Sequence, residues 1–149
     1  MAYVNAKNIK LYYEDTGQGE PVVFIHGGFA RGDSAFAAQI PAFSRDYRVI
    51  CPDLRGHGRT IAASPYWETP QLADDIMALL DELHIPKAHF VGHSMGGDVV
   101  TYCAILHPER VALLGTGTVV SAVWARLASW AGTPLEGRLL LVHVANSRF

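Results

Sequence analysis

The run Phe90-Val91-Gly92-His93-Ser94-Met95-Gly96-Gly97 constrains the fold of this chain more than any other segment. An apolar stretch, Ala88–Val91, leads into it and reads as a buried strand. A helical stretch, Met95–Leu106, leads out of it and is stopped before Pro108. Passing from strand to helix within about one residue forces the residue at the crest, Ser94, into a strained backbone conformation. Side chains two positions before and two after the crest would strike neighbouring backbone, so Gly92 and Gly96 fit there. The turn then presents the Ser94 hydroxyl above the end of a sheet, at a helix N-terminus that favours developing negative charge.

The surrounding pattern agrees. Ala2–Asn5 and Ile9–Glu14 are β-rich and predict an antiparallel hairpin through Lys7-Asn8. Pro21–Ile25 is a short continuous apolar run, as a strand covered on both faces of a parallel sheet requires. A helix is expected from about Asp33 or Ser34 to Phe43, and Tyr47–Cys51 reads as the next strand. Thr69-Pro70 predicts a cap followed by a first helical proline. The apolar residues Leu72, Ile76, Leu79, Leu80 and Leu83 then form one helical stripe. Asp74, Asp75, Asp81 and Glu82 fall off that stripe and read as a solvated face. Val111–Leu114 begins another strand. Alternating strands and helices from Pro21 onward predict an α/β fold: a mostly parallel sheet with helices on both faces.

A second glycine-bearing loop stands where such sheets place their sites. His26-Gly27-Gly28-Phe29 follows the Pro21–Ile25 strand at its C-terminal end. Glycines allow close approach of backbone to a ligand, so an amide among Gly27, Gly28 and Phe29 can pair with the Met95 amide to hold an oxyanion.

Taken together, PVVFIHGG, CPDLRGHGRT and FVGHSMGG, in that order, resemble the α/β-hydrolase superfamily. The likeness spans about Ala2 to Gly115 and is strongest to small bacterial esterases, enol-lactone hydrolases and cofactor-free haloperoxidase-like members. It implies Ser94 as nucleophile, Met95 with Gly27–Phe29 as oxyanion hole, and Asp53–Gly58 as a structural turn near the pocket rim. A serine at this position favours acyl transfer, whereas relatives that form alkyl-ester intermediates carry aspartate there. No cofactor is implied.

The family order places an acid and then a histidine after the nucleophile. After Ser94 the acids are Asp98, Glu109 and Glu136, and the histidines are His107 and His143. Asp98 is expected to face away from the site, and His107 and Glu109 to lie on the surface. Leu139–Val144 resembles the family's penultimate strand, yet Val144-Ala145-Asn146-Ser147 stands where an aspartate is normally found. His143 is the remaining candidate base, with Glu136 or no acid as its partner. His26 is expected to shape the oxyanion loop and His57 to brace its turn.

Beyond Gly115 the character of the chain changes: residues 111–149 hold one acid, Glu136, and no lysine. The expectation is a single shortened domain over residues 1–149, family-like over 1–115 with an atypical tail over 116–149. With its open sheet edge such a domain is expected to form a homodimer, to pair with another chain, or to be only marginally stable. A formal net charge of −2 points to neither nucleic acid nor an anionic membrane. The start carries no signal-peptide pattern and no run reaches membrane-span length, so the expected location is cytoplasmic. Cys51 and Cys103 read as buried thiols, and no residue spacing suggests a metal. Three functions stay open: a serine hydrolase of small carboxylic esters or lactones, a perhydrolase or haloperoxidase working through the same serine, and a non-catalytic shortened hydrolase.

Overall fold

A computed structural model of the chain describes residues 2–6, 8–64, 66–117 and 142–143. β1 (Ala2–Ala6) and β2 (Ile9–Thr16) form the expected antiparallel hairpin. β3 (Glu20–Ile25), β4 (Tyr47–Pro52), β6 (Ala88–His93), β7 (Val111–Gly117) and β8 (Val142–His143) run parallel to one another. β5 (Ile61–Ala62) adds a short antiparallel pairing to β2. The sheet order is β1-β2-β4-β3-β6-β7-β8, so the chain enters at one edge and crosses over to build the sheet outward from β3.

The period-two geometry of the strands divides the core. Val23, Ile25, Ile50 and Phe90 face one side, where α3 (Thr69–Glu82) and α4 (Met95–Leu106) cover them with Leu72, Ile76, Leu80, Val99 and Cys103. Val22, Phe24, Val49 and Cys51 face the other side, beneath α1 (Gly32–Ala35) and α2 (Ile40–Phe43). Helices therefore lie on both faces. Cys51 and Cys103 are free and buried, and burial pushes the Cys51 thiol up to about 12.

Three local expectations are revised. The helix expected up to Phe43 is two short helices. Phe36 leaves helical geometry, at φ −123° and ψ 24°, and its ring stacks on Phe24 with centroids 4.8 Å apart. Burying that ring outweighs continuing the helix. α3 is capped by Glu68 rather than Thr69, because the Leu72 amide bonds the Glu68 carbonyl at 3.1 Å. Asp75 is buried rather than solvated, for a reason that belongs to the site. Residues 118–141 and 144–149, which include Glu136 and most of the atypical tail, lie outside the described residues.

Candidate active site

Ser94 is the crest between β6 and α4, held at φ 54° and ψ −122°. Few non-glycine residues take positive φ, and the surrounding packing holds this one there. A Cβ on Gly92 would collide with the Gly96 carbonyl and stand 2.7 Å from the Gly97 amide nitrogen. A Cβ on Gly96 would collide with the Ile25 carbonyl. Both glycines are thus required by contact with backbone, which cannot give way as a flexible side chain can. The Gly97 amide closes the turn on the Ser94 carbonyl at 2.7 Å.

The loop after β3 lies against this crest. A Cβ on Gly27 would stand 3.2 Å from the Ser94 Cβ and 3.2 Å from the His93 carbonyl oxygen. Close approach therefore explains Gly27, but not Gly28, around which a Cβ would meet nothing within 4 Å. Phe29 follows at φ 62° with its ring fully exposed. Met95 is the first residue of α4, among the amides that no carbonyl of the helix can satisfy. Gly28, Phe29 and Met95 line a cavity of about 590 Å³, together with Arg31, His57 and Trp67. A hydroxyl beside such amides can attack a carbonyl while the new oxyanion is held by N–H groups.

The loop is braced from beneath. The fully buried His26 accepts the Leu54 amide on Nε2 at 3.0 Å, so its proton is on Nδ1, which donates to the Gly27 carbonyl at 2.7 Å. Burial lowers the His26 pKa below the ordinary value, against the pull of the Gly27 hydrogen bond. Asp53 is also fully buried and accepts the Gly32 amide at 2.9 Å, the Arg59 amide at 2.9 Å and Arg59 Nε at 2.8 Å. Burial pushes its carboxyl up, but these hydrogen bonds and the Arg59 charge more than offset that and hold it below its ordinary value. His57 donates from Nδ1 to the Arg55 carbonyl at 3.0 Å, bracing the Asp53–Gly58 turn as expected.

Arg55 turns inward and meets Asp75 of α3 in a two-pronged pair, Nε to Oδ2 and Nη2 to Oδ1, both at 2.8 Å. That pair is why Asp75 is buried. The Arg55–Asp75 pair is not evident from spacing along the chain, since it joins a loop to a helix; the Asp53–Arg59 pair spans six residues of one loop, and no regular periodicity marks it. The weak signal was the arginines themselves, Arg55 and Arg59, within an otherwise glycine-rich turn.

Most candidate bases and acids are placed away from Ser94. His89 pairs with Glu20 at 3.0 Å and His107 with Asp74 at 3.2 Å, while Glu109 is exposed. Asp98, on the first turn of α4, has one buried carboxylate oxygen without a hydrogen-bond partner among the described residues, and burial raises its pKa. The His143 backbone pairs with Thr116, which pairs with Gly92, so it stands level with the entry to the elbow two strands away. Its side chain lies outside the described residues. Among the described residues no three histidine, cysteine or carboxylate groups gather to hold a metal ion, and no helix is long and apolar enough to cross a membrane.

Comparison with known proteins gives a consistent result. Residues 20–135 match the family model described as alpha/beta hydrolase fold. Over 104 residues the chain is 41% identical to the dihydrolipoyllysine-residue acetyltransferase component of an acetoin cleaving system from Pseudomonas putida, covering 69% of this chain and 28% of that protein. Over 108 residues it is 38% identical to 3-oxoadipate enol-lactonase 2 of Acinetobacter baylyi, covering 72% of this chain and 40% of the relative. A solved structure of meta-cleavage product hydrolase from Pseudomonas fluorescens superposes with TM-score 0.77 at 33% identity, over 80% of this chain and 45% of that one. The chain thus spans less than half the length of these relatives.

Proposed function

The chain belongs to the α/β-hydrolase fold family, and on that footing we propose that it is a serine hydrolase of small carboxylic esters or lactones, working through an acyl-enzyme on Ser94. One observation carries the reading: Ser94 sits at positive φ on the strand-to-helix turn, with the Gly27 backbone packed against it. The family's enol-lactonase relative gives the lactone half of the substrate class.

In this reading Ser94 Oγ attacks the substrate carbonyl carbon and gives its proton to a base. The carbonyl oxygen becomes an oxyanion, held by the Met95 amide and by one amide from Gly27, Gly28 or Phe29. Collapse of that intermediate breaks the bond to the alkoxy oxygen, which leaves with the proton. Water then attacks the acyl-enzyme, releasing the acid and restoring the hydroxyl. His143 is the base in this scheme. Register supports it: two parallel strands set its backbone about 10 Å from that of Gly92, at the site's end of the sheet.

Hydrolysis of a short-chain chromogenic ester tests both assignments. Ser94→Ala should lower kcat by about a thousandfold or more if the serine is the nucleophile. Equal rates in wild type and variant would remove Ser94 as the nucleophile, and no rate in either would leave a non-catalytic fold. His143→Ala should lower kcat with little change in KM; an unchanged kcat would move the base elsewhere and leave Ser94 standing.

A further inference from the structure

The cavity beside the elbow is apolar and aromatic over most of its wall, yet among the described residues one formally charged side chain lines it and no carboxylate does. That side chain is Arg31, in the extended residue that caps α1, about half exposed. Its nearest acid, Asp33, is already committed. Asp33 Oδ1 accepts the Ser34 amide at 2.7 Å, and Asp33 Oδ2 pairs with Arg59 Nη1 at 3.1 Å. What remains for Arg31 is one contact of 3.5 Å from Nε to Oδ1, too long for a good hydrogen bond. Both terminal nitrogens of the guanidinium have no partner among the described residues, and the planar fork they form suits a carboxylate.

Behind the wall one guanidinium, Arg59, is shared by Asp53, Asp33 and Glu14, so it offsets their negative charge only in part, and Arg31 is the cation that faces the cavity itself. In the same lining Trp67 lies near the His57 ring, with centroids 5.9 Å apart, and the exposed Phe29 ring projects from the loop that carries Arg31. These surfaces favour a carbon skeleton between the reacting carbonyl and the charged end.

We propose that Arg31 is a specificity-determining residue that seats an ionised carboxylate of the substrate, so that the cavity takes an ester or lactone bearing a second, free acid group. The proposal rests on the Ser94 reading for the reaction, but its recognition chemistry is separate from it. The test compares two para-nitrophenyl esters, the half-ester of glutaric acid and the butyrate, in wild type, Arg31→Met, Arg31→Lys and Arg31→Glu. Wild type should favour the anionic half-ester by about tenfold in kcat/KM, the scale of one charge-assisted hydrogen bond. Arg31→Met should erase that ratio, Arg31→Lys keep part of it, and Arg31→Glu reverse it. A ratio identical in wild type and Arg31→Met overturns the proposal while leaving Ser94 as nucleophile. Should neither ester be hydrolysed, the Ser94 reading falls and calorimetry decides this one. Monomethyl glutarate binding to wild type and not to Arg31→Met supports it; equal binding to both, or to neither, overturns it.

Discussion

Ser94 at φ 54° carries a backbone cost of about 1–3 kcal/mol, which the rest of the fold must offset. Glycine takes that conformation without the cost, though it adds entropy to the unfolded chain worth about 0.5–1 kcal/mol. Ser94→Gly should therefore raise stability by about 1 kcal/mol while abolishing ester hydrolysis, whereas Ser94→Ala keeps the strain and should be close to neutral. Urea unfolding of the two variants checks this, and equal stabilities would mean that the crest is not strained. Gly96→Ala should behave oppositely and cost about 2 kcal/mol or more, because its Cβ meets the Ile25 carbonyl and backbone must move. Gly92, Ser94 and Gly96 were legible from the sequence because a one-residue reversal between strand and helix has few steric solutions. Gly28 was not, since its position in the loop resembles that of Gly27 and only the fold shows which of the two is crowded.

At the scale of elements, the buried Arg55–Asp75 pair fastens the turn after β4 to the middle of α3. Removing one partner leaves the other charged and dry. Asp75→Ala should cost about 3–5 kcal/mol, while Arg55→Met with Asp75→Leu should recover most of that loss. A double variant as unstable as the single one would show that the pair contributes more than its own neutralisation. The elements themselves were largely readable: the hairpin, the buried parallel strands, and α4 with its exact limits followed from periodicity and proline. Asp75 was misread because helical periodicity reports a face, not a partner, and its arginine lies twenty residues earlier in another loop. The break at Phe36 was hidden for a related reason. Whether an aromatic ring leaves a helix to stack on Phe24 depends on the neighbouring strand, which local propensity does not contain.

For the whole molecule, the two brace groups under the oxyanion loop couple stability to pH in the same direction. His26 has its folded pKa below the unfolded value of 6.5, so the unfolded chain binds the proton more readily. Its contribution is complete above that value and is lost as pH falls from 6.5 through the folded pKa. Protonation would also place an N–H on Nε2 facing the Leu54 amide, donor against donor. Asp53, held below 3.8, contributes in full above that pH and loses its contribution only in stronger acid. Acidification should therefore weaken the fold in two successive steps, the histidine first. Urea midpoints measured from pH 8 to pH 5 should fall in wild type, and His26→Asn should flatten that decline while lowering the midpoint at pH 8. An equally steep decline in the variant would place the proton uptake on another group and reduce His26 to a spacer between the Gly27 and Leu54 loops.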